Sequence, residues 1–89
     1  MSLDELRKEI NVIDLELLQK LRERMNLSKK IGLYKKKNKI EVLDKSREEL
    51  LLNFLINSEI KIFDNKMNEE FINELWNIIM NYSKKNQKM

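Results

Sequence analysis

The chain has no cysteine, no histidine and no proline, and it contains a single glycine, Gly32. Without cysteine there can be no disulfide and no Cys-based metal site. Without histidine the commonest metal ligand and the usual general base near neutral pH are missing. Any chemistry must rest on Arg, Lys, carboxylates, hydroxyls and amides. The lack of proline, the lone glycine and the short polar breaks predict an all-helical protein. No apolar stretch approaches the roughly 20 residues of a membrane span, and the N-terminus lacks a signal peptide's apolar core, so a soluble cytoplasmic protein is expected. A net charge of +3 is too mild to indicate nucleic acid. The lysines also lack interleaved aromatics.

What is present is helical periodicity. Leu3, Leu6, Ile10, Ile13, Leu17, Leu21 and Met25 recur at spacings of three and four, the mark of one buried face. They predict an unbroken helix from Leu3 to about Lys36, opened by Ser2 or Asp4 and stopped near Asn38. At 1.5 Å per residue this helix is roughly 50 Å long. A compact domain of 89 residues should have a radius of gyration of about 13 Å. The helix is too long to be wrapped by its own chain, which points to a partner.

After a short linker, Lys39 to Leu43, a second helix is expected from Asp44 or Ser46 to about Asn57. Ser46 and Glu49 fit a capping box. Leu50, Leu51, Leu52, Phe54, Leu55 and Ile56 are apolar nearly all round and predict deep burial. A loop over residues 58–66 would be anchored by Ile60, Ile62 and Phe63. A third helix would follow, with Asn68 as N-cap, Met67 and Ile72 as its hydrophobic staple, and fraying from about Lys84. Its main core stripe is expected at Phe71, Leu75, Ile78, Ile79 and Tyr82, with a second running Ile72, Trp76, Ile79 or Met80, Ser83, Gln87. There is no internal repeat, and residues 1–89 read as one domain.

Three constellations could carry chemistry. Arg24, Ser28, Ile31 and Lys35 share a face of the first helix, and the two long cations, roughly 16 Å apart along the axis, can converge over the small Ser28. By spacing alone a solvated basic stripe is the commoner explanation. Ser83 and Gln87 form a polar end on an apolar stripe, which suits a pocket floor or a helix emerging into water. Asp44, Arg47 and Glu48 lie within two turns, where capping and surface pairing explain them equally. Arg7 stands apart. It is 17 residues, or about 25 Å, before Arg24, so the two can share a small ligand only if Arg7 comes from a second subunit.

Taken together the residues resemble the all-helical (type II) chorismate mutase family. The resemblance runs from Leu6-Arg7-Lys8-Glu9-Ile10, Ile13-Asp14 and Leu17-Leu18 through Leu21-Arg22-Glu23-Arg24, Lys29-Lys30-Ile31-Gly32 and Lys35. It continues with Asp44-x-x-Arg47-Glu48 and ends at Ser83 and Gln87. Only four of the 18 basic residues are Arg, and three of those, Arg7, Arg24 and Arg47, fall on the family's substrate-binding positions. The resemblance implies an intertwined homodimer, six helices in all, with Arg7 contributed to the other subunit's site. It implies the Claisen rearrangement of chorismate to prephenate without metal or cofactor. Arg7, Arg24 and Arg47 would handle the substrate's carboxylates with help from Ser83. Lys35 and Gln87 would donate to the breaking ether oxygen, and Glu48, with backbone near Asp44, would take the ring hydroxyl. Ile31, Leu51, Leu55 and Met80 would wall the ring. An isochorismate–pyruvate lyase on the same scaffold and a non-catalytic helical dimerisation or regulatory module are the competing readings.

Overall fold

A computed structural model of the chain describes residues 1–62 and 67–88, with side chains given for 1–58 and 69–88. It contains three helices, α1 (Leu3–Lys37), α2 (Lys45–Ile62) and α3 (Met67–Lys88), and no strand among the described residues. No helix in the described residues is long and apolar enough to cross a membrane.

The first helix has the expected span. Ser2 caps it, its side chain accepting from the Glu5 N–H at 3.1 Å, with Asp4 and Glu5 in the first turn. At the other end Asn38 closes the helix, donating from its backbone N–H at 3.0 Å and from its side chain at 2.8 Å to the Tyr34 carbonyl. The Lys39 and Ile40 amides then reach back to the Lys36 and Lys35 carbonyls, and Lys39 takes a left-handed φ of 57°. This is the Schellman closure, with lysine where glycine is usual.

The second helix takes one of the two expected starts and departs from expectation at its end. Its cap is Asp44, whose carboxylate accepts from the Arg47 N–H at 3.0 Å, so the Ser46 capping box is not used. It also runs on past Asn57 to Ile62, through residues expected to be loop, with Ser58 donating to the Phe54 carbonyl at 2.7 Å. A Ser hydroxyl that bonds back one turn is satisfied inside a helix and need not end it. Phe63 and the side chains of Ile60, Ile62 and Met67 lie outside the described residues; Asn68, expected as the cap of the third helix, falls inside that helix. The third helix begins at Met67 and stays helical to Lys88, where fraying was expected. Two buried polar side chains explain its persistence. Ser83 is bonded to Ser28, and Asn86 donates to the Met25 carbonyl at 2.9 Å, pinning the last turns of α3 to α1.

Packing centres on α3, which lies against both α1 and α2 among the described residues. Its core face is the stripe expected to be secondary. Ile72, Ile79 and Met80 are buried, whereas Phe71, Ile78 and Tyr82 are 57–68% exposed. Both stripes have helical spacing, so periodicity finds each but does not say which one its own chain covers. The second helix is likewise shallower than expected, with Leu50 and Phe54 about two-thirds exposed. Every residue from Met1 to Glu23 is exposed, including the apolar stripe from Leu3 to Leu21. The chain is 54 Å long with a radius of gyration of 16.2 Å, well above the value for a compact domain of its size.

Candidate active site

The second half of α1 approaches α3 so closely because Gly32 has no side chain. A Cβ there would stand 2.6 Å from the Gln87 Cα and 2.9 Å from its carbonyl carbon. Nearby, the Ser28 hydroxyl bonds to the Ser83 hydroxyl at 2.6 Å and carbonyl at 2.9 Å. Small residues at two adjacent turns of α1 thus let α3 seat against it, and α2 packs on α3.

Between the three helices lies a cavity of about 440 Å³. Helix α1 lines it with Arg24, Leu27, Ser28, Ile31 and Lys35, and the linker adds Val42. Asp44, Arg47, Glu48 and Leu51 line it from α2 and its cap, and Met80, Ser83, Lys84 and Gln87 from α3. Each group repeats the offsets of three, four and seven that place side chains on one helical face. Eleven of the thirteen site candidates singled out in the sequence, Ser28 included, therefore meet around one cavity. Leu55 does not line it, being one turn beyond Leu51 on α2 and half-buried. Arg7 does not line it either, and sits exposed in the first turns of α1.

The cavity is rich in cations and not neutralised within. Burial, and secondarily the charge of Arg47, lower the Arg24 pKa from its ordinary value. Two guanidiniums that repel one another across a cavity form a receptor for an anion, because a bound carboxylate removes the repulsion and can take both forks. Lys35 Nζ donates to the Val42 carbonyl at 3.0 Å, which draws the linker over one side of the site and leaves the ammonium two further protons to donate. Glu48 is paired with Lys84 at 3.0 Å, each side chain 27% exposed. Asp44 is committed to capping α2.

Gln87 is incomplete. Its Oε1 is buried and has no hydrogen-bond partner among the described residues. Such an atom costs about 1–3 kcal/mol, and a half turn of the amide would present Nε2 as a donor at the same place. No group of three or more carboxylates capable of holding a metal occurs among the described residues.

A family model, chorismate mutase type II, matches residues 6–88. The chain belongs to the type II chorismate mutase family. Membership makes it an isomerase with chorismate mutase activity at the level of the family, and the all-helical architecture agrees with it. No curated protein and no solved structure matches the chain.

Sequence reasoning did not single out Leu27, Val42 or Lys84 as cavity residues. For Lys84 a signal was present. Met80, Ser83, Lys84 and Gln87 complete the same four-residue face, but the pair Lys84-Lys85 reads as the start of a solvated tail. Val42 comes to the cavity through a backbone bond to Lys35, which no side-chain pattern reports.

Proposed function

We propose that this cavity binds chorismate and catalyses its rearrangement to prephenate, on the branch toward phenylalanine and tyrosine, in the cytoplasm. The observation that carries the reading is the convergence of Arg24, Lys35, Arg47 and Gln87, from three helices, on one cavity of about 440 Å³. The reaction is intramolecular: the ether C–O bond breaks as a C–C bond forms between the side chain and the ring. It needs no nucleophile. The protein must select a compact conformer of a flexible dicarboxylate and stabilise negative charge growing on the ether oxygen.

Arg24 and Arg47, whose charges repel one another, take the carboxylates with Ser83 nearby. Lys35 and Gln87 donate to the ether oxygen from opposite helices, and these bonds strengthen as the C–O bond breaks. Interactions that grow in the transition state raise turnover, not affinity alone. Glu48 accepts the ring hydroxyl, and Ile31, Leu51 and Met80 wall the ring.

The active species in this reading is a homodimer. The exposed stripe from Leu3 to Leu21, with Leu50, Phe54, Phe71, Ile78 and Tyr82, is far more apolar surface than a lone chain should leave in water. Full burial of each such side chain is worth about 1.5–3 kcal/mol. Pairing two α1 helices would cover the stripe and carry Arg7 to the partner's cavity, closing the site.

Incubation with chorismate and, separately, isochorismate, with product identification, tests the assignment. Prephenate from chorismate is expected. Salicylate and pyruvate from isochorismate as the main activity would indicate the lyase. Turnover of neither would leave a binding or dimerisation module, in which neutral substitutions at Arg24, Lys35 and Gln87 are tolerated.

A further inference from the structure

Glu48 and Lys84 set a problem that the reaction alone does not resolve. Glu48 is a flexible acid on the wall of a cavity that also holds Arg24, Lys35 and Arg47. A free carboxylate there would be drawn onto the same cations that a dicarboxylate ligand needs. Instead its Oε1 is engaged by Lys84 Nζ at 3.0 Å, an ion pair that bridges α2 and α3. Both side chains are only 27% exposed, in contrast with the Lys20–Glu23 pair at 77% and 53%. Exposed pairs of the latter kind contribute little. The half-buried pair fixes an orientation.

We infer that Lys84 is a positioning residue for Glu48. It holds the carboxylate away from Arg24, Arg47 and Lys35, and it leaves the second oxygen, Oε2, to accept the hydroxyl of the bound ring. This role rests on the chorismate reading of the cavity and deepens it. A hydroxyl bonded to a carboxylate is a strong, charge-assisted contact. Its contribution depends on the acceptor being fixed before the ligand arrives, since ordering a long side chain at binding costs affinity. Lys84 provides that order in the free protein. Arg at the same position keeps the charge and can donate to Oε1 end-on, whereas Met keeps the length and loses the charge.

The test is steady-state kinetics on chorismate with the wild-type chain, Lys84→Met, Lys84→Arg, Glu48→Gln and the Lys84→Met/Glu48→Gln double variant. Lys84→Met should lower kcat/KM by about 10–100-fold and Lys84→Arg should recover to within about 3-fold of wild type. In the Glu48→Gln background the same Lys84→Met change should alter kcat/KM by less than about 3-fold, because the group it positions is gone. Circular dichroism accompanies each variant, and Lys84→Gln carries the same comparison if Lys84→Met loses its helices. An equal loss in both backgrounds, or full activity of Lys84→Met, overturns the positioning role while leaving the mutase reading intact. Absence of prephenate with the wild-type chain overturns the functional reading itself, and this role with it.

Discussion

Lys35 and Gln87 face the same cavity in complementary states: the ammonium is tethered to the Val42 carbonyl, and the amide oxygen has no partner among the described residues. In the proposed reaction both turn a donor to the ether oxygen. Removing one donor from a preorganised oxyanion site costs about 10²–10³ in turnover. Lys35→Ala and Gln87→Ala should therefore each lower kcat by at least that order while the protein stays folded, measured by prephenate formation and circular dichroism. Near-normal turnover in either would remove that residue from the ether contact. An amide does not titrate, so no group at position 87 must be protonated, and the rate should be broadly flat around neutrality. The lowered pKa of Arg24 does not alter this, since a guanidinium stays charged across that range. A steep gain on acidification would contradict the role given to Gln87. The three polar faces were legible in the sequence because each helix repeats its offsets, but that they belong to one site was implied only by the family resemblance. Lys84 was not legible, because a charged residue beside another at a chain end has the pattern of a solvated tail.

Among elements, the decisive contact is α3 against the second half of α1, and Gly32 within α1 and Lys39 just past its end bear on stability in opposite ways. Gly32 exists for the approach, since any side chain there meets the Gln87 backbone. Lys39 holds a left-handed φ of 57° that glycine would adopt without strain. Thermal melts of two variants should thus move in opposite directions. Gly32→Ala should destabilise by about 1–3 kcal/mol through overpacking and displace Gln87, lowering turnover as well. Lys39→Gly should stabilise by up to about 1 kcal/mol with turnover unchanged. A Gly32→Ala protein of normal stability and rate would show that the helices are not so closely set. The ends of α1 were legible because Ser2 and Asn38 use the local chemistry of caps. The start of α2 was ambiguous because Asp44 and Ser46 both suit a cap, and the choice went to the residue that reaches the Arg47 amide. Which stripe of α3 faces inward was not legible at all. That depends on two neighbours that the helix's own periodicity does not identify.

At the scale of the whole molecule, the sequence showed that α1 is too long for its chain, and the structure makes the consequence concrete. Every residue up to Glu23 is exposed, its apolar stripe included, and Arg7 is about 25 Å from Arg24 along the axis. One helix then serves two sites in the proposed dimer, its own through Arg24 and Lys35 and the partner's through Arg7. The reach of the helix sets the spacing between them. What the sequence made legible is a distance that one chain cannot close and an apolar face; it does not report what covers that face. The claim is tested most directly by mixing Arg7→Ala and Arg24→Ala subunits after unfolding and refolding together. Each homodimer lacks one arginine in both sites, while each heterodimer regains one complete site of two. Random pairing makes half the dimers heterodimers, so activity should return to about a quarter of wild type. A mixture no more active than its separate components would contradict a site shared between two chains.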